Sequence, residues 1–223
     1  MKDLIKLSSK IKDETLRKMV VDFLKDVRLS NNHFKKYPKM DIEDAASVFS
    51  VGGPSGVSTV ERDVLKHTMS LVELCERMVE ILEKVYGLKL DSDSLIAAAI
   101  VHDIMKMFEW KRGAGGLEHT GVMLDHTMLG VAELYVRGFP EEVIHIVASH
   151  YGENGPTPPR TFEALIFHHL DSMMSIVEFR MANAAEQHQQ MQLLLLNDEI
   201  IKKLSDESHE TGKSEAPKKE KLE

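Results

Sequence analysis

The sequence predicts an all-α protein, and three observations carry that expectation. Apolar residues recur at three-four spacing through most of the chain. No segment alternates apolar and polar side chains in the manner of a half-buried strand. The breaks between the periodic segments read as helix caps and Gly/Pro loops.

The elements follow in order. Residues 13–28 place Leu16, Met19, Val20, Phe23, Leu24 and Val27 on one face. Residues 38–59, with Pro38, Gly52, Gly53, Pro54 and Gly56, read as a loop. A long helix is expected over 59–85, with Val64, Leu71, Leu74, Met78, Leu82 and Val85 on one stripe, ended by Gly87. The next, over 91–108, has Asp91, Ser92, Asp93 and Ser94 as cap candidates. Its run Leu95–Val101 is apolar on all sides, which marks the central, buried helix. Gly113, Gly115 and Gly116 mark a flexible loop. Helices at 122–137 and 140–150 follow, the second with Pro140 in its first turn. A Gly/Pro loop precedes Thr161, which caps a helix running past Ala185. A further apolar helix covers 190–204, and the tail from Ser205, with 6 acids and 4 lysines, is expected to be disordered.

Composition narrows the chemistry. The 223 residues include 11 His and 1 Cys, so neither a disulfide framework nor a zinc site of paired cysteines can be built. A net charge of −8 opposes nonspecific wrapping of duplex nucleic acid. No apolar run reaches the roughly 18 residues of a membrane span, and the N-terminus lacks a signal-peptide core. A soluble, cytoplasmic protein with no membrane partner is expected.

Several polar residues lie on inward stripes. His67 sits between Val64 and Leu71, His102 and Asp103 end the most apolar run, and Asp171 lies among Leu165, Phe167, Leu170 and Met174. A buried carboxylate needs a positive partner. Lys106, one turn after Asp103, can answer one of the two. A divalent ion held by His67, His102, Asp103 and Asp171 would answer both, and imidazole with carboxylate suits zinc, manganese, iron, nickel, cobalt or magnesium. Any single buried histidine is more often a hydrogen-bonded core residue than a ligand. The ordered set is less easily explained so: His67, His102-Asp103, His126, His150, Asp171.

That order resembles the HD-domain superfamily of metal-dependent phosphohydrolases, over roughly residues 13–180. Within it the stretches His102-Asp103-Ile104-Met105-Lys106, Asp125-His126-Thr127, Ser149-His150-Tyr151-Gly152 and Leu165–Asp171 are similar to the HD domain of YhaM-type 3′-to-5′ exoribonucleases. The resemblance implies a helical bundle with the metal site in the core between helices. It implies His67, His102, Asp103 and Asp171 as ligands of a first ion, and His126 and His150 as ligands of a second, with Asp103 bridging. Asp103 and Lys106 would be catalytic, Lys106 beside a substrate phosphate and His168 behind the ligands. Tyr151 stands where the family often has a further His. His119, in the Gly-rich loop, and Arg160 are weaker substrate candidates, since loop residues of these types are usually solvated.

The expected divisions are an N-terminal helix and loop over 1–58, an HD domain over 59–189, a helix over 190–204 and the tail over 205–223. The expected function is hydrolysis of a phosphomonoester or phosphodiester, one of a nucleotide above all, with one or two divalent ions. Two alternatives stand beside it: a 3′-to-5′ exonuclease on single-stranded RNA or DNA, and a non-catalytic sensor or interaction module of the same fold. The helix over 190–204 would pack on the core or form a homodimer contact.

Overall fold

The computed structural model describes residues 1–53, 56–184 and 188. The chain divides into two units at Phe179–Arg180. In the first, helices α1 (Lys2–Leu7) and α2 (Glu14–Lys25) precede an antiparallel hairpin, β1 (Ala46–Gly53) and β2 (Gly56–Asp63). Helices α3 (Val64–Tyr86) and α4 (Ser92–Val101) follow, then a 3₁₀ turn over Ile104–Phe108. A second hairpin, β3 (Trp110–Gly113) and β4 (Gly116–His119), leads to α5 (His126–Val136) and α6 (Glu141–Ala148). Helix α7 begins at residue 162 and runs to the end of this unit. In the second unit, residues 180–184 are helical.

The frame is helical, as expected, and α4 is its axis. Every residue from Ser94 to Val101 is buried, and α2, α3 and α6 pack around it. A helix apolar on all sides has no face to offer water. Aspartates set the helix starts. Asp13, Asp63, Asp91 and Asp125 each accept a backbone N–H from the first turn of α2, α3, α4 and α5. Gly87 ends α3 at φ +66°, a left-handed conformation that side chains resist. Thr161 Oγ caps α7 through the Ala164 N–H at 3.1 Å. Asp93 does not cap α4; its carboxylate takes the N–H groups of Lys12 and Asp13 and ties the N-terminal segment down.

Four expectations need correction. Residues 46–63 form a hairpin rather than a loop, and α3 starts at Val64 rather than Thr59. The segment is rich in Val, Ser, Thr and Phe on both sides of Gly53-Pro54-Ser55-Gly56, so strand propensity with a turn outweighs the Gly/Pro signal. The glycines around 113–116 form the turn of the β3–β4 hairpin rather than a flexible loop. The helix expected over 91–108 stops at Val101, and its last third is a separate 3₁₀ turn. The stripe drawn through α3 also runs too far, since Val85 is 66% exposed. The expected helix over 190–204 and the tail lie outside the described residues.

Truncating the axis should be costly. Ile100→Ala is expected to lower unfolding stability by about 2–5 kcal/mol, read from chemical denaturation.

Candidate metal centre

Each candidate ligand sits where an element ends or turns inward. His67 occupies the first turn of α3, His102 and Asp103 close α4, His126 opens α5, His150 follows α6, and Asp171 projects from α7. All four histidines are buried, His67 and His102 completely, and Asp103 is 1% exposed. Their donor atoms converge in two groups. His67, His102 and Asp171 offer atoms within 4.8 Å of one another, and so do Asp103, His126 and His150. Asp103 also faces the first group, its Oδ2 lying 3.4 Å from His102 Nε2, while its Oδ1 lies 3.3 Å from His126 Nε2.

One arrangement recurs at all four imidazoles: Nδ1 meets an oxygen outside the cluster. His102 Nδ1 donates to the Ala99 carbonyl at 2.9 Å and His150 Nδ1 to the Val147 carbonyl at 2.7 Å, each three residues earlier. His126 Nδ1 lies 3.0 Å from Glu109 Oε1, whose carboxylate also takes the His126 backbone N–H. His67 Nδ1 lies 2.9 Å from Glu178 Oε2. A carbonyl can only accept, so the proton of His102 and of His150 is on Nδ1 and Nε2 carries the lone pair. Such outer partners are what orient metal-binding imidazoles. His102 Nε2 is the decisive atom for whether an ion fits: it is buried and takes part in no hydrogen bond. An inward, dry, unpaired imidazole lone pair beside two carboxylates is a donor set for a divalent ion.

The charges are tightly interlocked. Lys106 Nζ donates to Asp103 Oδ2 at 2.8 Å. Arg62, from β2, donates to the same oxygen at 3.2 Å and to Ser175 Oγ at 2.8 Å, and lies 3.6 Å from Glu178. Burial works against the Asp103 charge, but the surrounding His102, Lys106 and His126 hold its carboxyl well below the usual range. Asp171, likewise buried, is held at about 2 by its hydrogen bond to His67. Burial alone would push His67 down; the carboxylates of Asp171 and Glu178 on either side raise it. His150, with burial and His102 acting together, falls to about 4 and stays neutral at neutral pH.

The remaining candidates are placed as follows. His168 Nδ1 bonds the His150 carbonyl at 2.7 Å and so backs the turn that carries His150. His119 lies on β4, exposed, against Trp110. Arg160 gives its backbone N–H to His145. Neither His119 nor Arg160 is in either donor group. Tyr151 adds an aromatic wall, its hydroxyl 3.3 Å from His126 Nε2. Three residues of the centre were not foreseen: Arg62, Glu109 and Glu178. Arg62 lies in a segment read as loop and helix start, which hid it. Glu178 stands two helical turns after Asp171, a spacing that places both on one face of α7. Nothing local in the sequence marks Glu109.

The profile of the HD domain matches residues 64–209, about two thirds of the chain. This chain belongs to the HD-domain family. The HD-domain chain is also 40% identical, over 176 residues, to the dihydroneopterin 2′,3′-cyclic phosphate phosphodiesterase of Methanocaldococcus jannaschii. The match covers 77% of this chain and 67% of that protein. No solved structure matches. With this family and this relative, the HD-domain protein is a hydrolase. Among its described residues no helix is long and apolar enough to cross a membrane.

The lowered pKa of His150 has a consequence for stability. Unfolding returns the imidazole to its ordinary 6.5, so the unfolded chain binds the proton first. The stabilisation is complete above pH 6.5 and is lost as the pH falls toward 4. Asp103 and Asp171 act below that window, because their carboxyls lie beneath 3.8. In chelator, thermal unfolding followed by circular dichroism should show the melting temperature falling between pH 6.5 and 4, less steeply in His150→Gln.

Proposed function

We propose that the chain is a metal-dependent phosphodiesterase acting on a small, nucleotide-like phosphate ester, with a 2′,3′-cyclic phosphate the best-supported form. The observation that carries the metal is the buried, unpaired His102 Nε2 between two carboxylate-bearing groups. The substrate class rests on the phosphodiesterase relative.

In this reading His67, His102 and Asp171 would hold one ion, and Asp103, His126 and His150 would hold a second. Charge supports it. The carboxylates of Asp103, Asp171, Glu109 and Glu178 face two fixed cations, Arg62 and Lys106. With neutral imidazoles the excess is two negative charges, which one divalent ion balances; a second leaves a positive surplus suited to a phosphate. When bound, the ions lower the pKa of water toward neutrality and draw off charge from the phosphoryl oxygens.

The side chains do the rest. Asp103, held anionic, accepts a hydrogen bond from the attacking water and aligns its oxygen on phosphorus. Lys106 and Arg62, already aimed at Asp103 Oδ2, donate to the phosphoryl oxygens as their charge grows. Glu109 and Glu178 keep His126 and His67 turned inward. The water oxygen forms the new bond to phosphorus, the ester oxygen leaves, and a proton from water ends on the released alcohol. The exonuclease alternative rests only on the YhaM-like stretches, and the sensor alternative on Tyr151 and the acidic surface.

Two experiments test the reading. Manganese- or iron-loaded protein should hydrolyse 2′,3′-cyclic nucleotides, and Asp103→Ala should reduce kcat by at least about 1,000-fold. Unchanged turnover in Asp103→Ala would sink the mechanism, and shortening of an end-labelled oligonucleotide would favour the exonuclease. Glu109→Ala should weaken metal affinity by about 10–100-fold, measured by competition with a chromogenic chelator.

A further inference from the structure

We propose that Tyr151 sets substrate specificity: its ring is a platform on which a planar heteroaromatic group of the ester stacks. The inference builds on the phosphodiesterase reading and adds to it what the ester must carry besides phosphate.

Two non-histidine rings touch the donor groups among the described residues. Phe167 lies behind His102, ring centroids 5.1 Å apart, and is wholly buried. Tyr151 packs one face on His150, centroids 4.4 Å apart and planes 34° apart, and is 42% exposed. Tyr151 is therefore the ring that both borders the proposed ions and meets solvent. A group seated on its outer part would lie beside a phosphate held at those ions.

The platform is fixed before any ligand arrives. His150 supports the ring from below. The next residue, Gly152, has φ +67°, and a Cβ there would run into the imidazole of His168. Gly152 N–H bonds the Ser149 carbonyl at 2.8 Å, and His168 bonds the His150 carbonyl. A rigid aromatic surface costs little ordering on binding, and a π-face accepts any planar base.

The chain around His126 supplies matching apolar surface. Met123, Leu124 and Met128, within three residues of His126, are 91%, 40% and 48% exposed. Thr127, between them, reaches the Tyr151 side chain. These side chains belong to the segment that carries His126, whose imidazole the Tyr151 ring meets edge-on, and exposed Met and Leu suit the flat, weakly polar faces of a heterocycle.

The test compares two esters on the metal-loaded enzyme: 2′,3′-cyclic AMP and the ring-free glycerol 1,2-cyclic phosphate. In Tyr151→Leu the ratio of their kcat/KM values should fall about tenfold, through KM for the ring-bearing ester. Tyr151→Phe should keep the ratio, and elemental analysis should find the same metal content in both variants. Equal losses on the two esters, or loss of metal, would overturn the proposal and make Tyr151 a residue that only positions the histidines. If the wild type hydrolyses neither ester, the phosphodiesterase reading fails. The platform is then decided by calorimetry with AMP against inorganic phosphate: tighter AMP binding that Tyr151→Leu abolishes upholds it, and its absence overturns it.

Discussion

The structure depends on one buried charge, the carboxylate of Asp103. An ion taken out of water costs several kcal/mol unless the protein answers it with opposite charge and hydrogen bonds. Three elements supply that answer. The 3₁₀ turn after α4 delivers Lys106, β2 delivers Arg62, and α5 presents His126. Asp103 stands at the end of the most apolar helix, where the adjacent His102 and these three partners answer its charge. The end of α4 belongs to the same constraint: His102 keeps helical dihedrals and bonds the Ala98 carbonyl, and Asp103 opens the 3₁₀ turn that carries Lys106.

Around that charge the imidazoles follow a common rule. Each is held from behind at Nδ1, by a carbonyl or a carboxylate, so its other nitrogen points inward. The two carbonyl-held rings need no residue beyond their own helix ends. The two carboxylate-held rings depend on Glu109 and Glu178, each far from its histidine in the chain. Hydrolase chemistry in this family member therefore draws on more of the fold than the inward-facing donors alone.

How much of this was legible in the sequence varies with the physical signal. The central helix and its caps were plain, because an apolar run flanked by Asp and Ser has few other uses. The donor residues were legible as an ordered set on inward stripes, and the structure gathers His67, His102, Asp103, His126, His150 and Asp171 into two adjoining groups. The hairpins are hidden in the sequence because Gly and Pro punctuate loops as readily as strand ends. Arg62 was lost with the first hairpin. Glu109 and Glu178 were hidden for another reason: a charged residue on a helix end or face is normally solvated, and only the three-dimensional placement of a histidine distinguishes these two. His119 and Arg160 show the converse, since residue type and loop location alone drew attention to side chains outside either group.

The β1–β2 hairpin brings Arg62, paired across the strands with Ser47, into a centre otherwise built by helices and their ends. The helical frame sets where most of the donors stand, and the hairpin tunes the electrostatic potential they share. Arg62 also lies 3.2 Å from His67 Nδ1 and donates to Ser175 Oγ, so it braces α3 and α7 as well. Substitutions along the hairpin can therefore retune how strongly the centre attracts cations or anions, a dial mounted on the very frame that it adjusts.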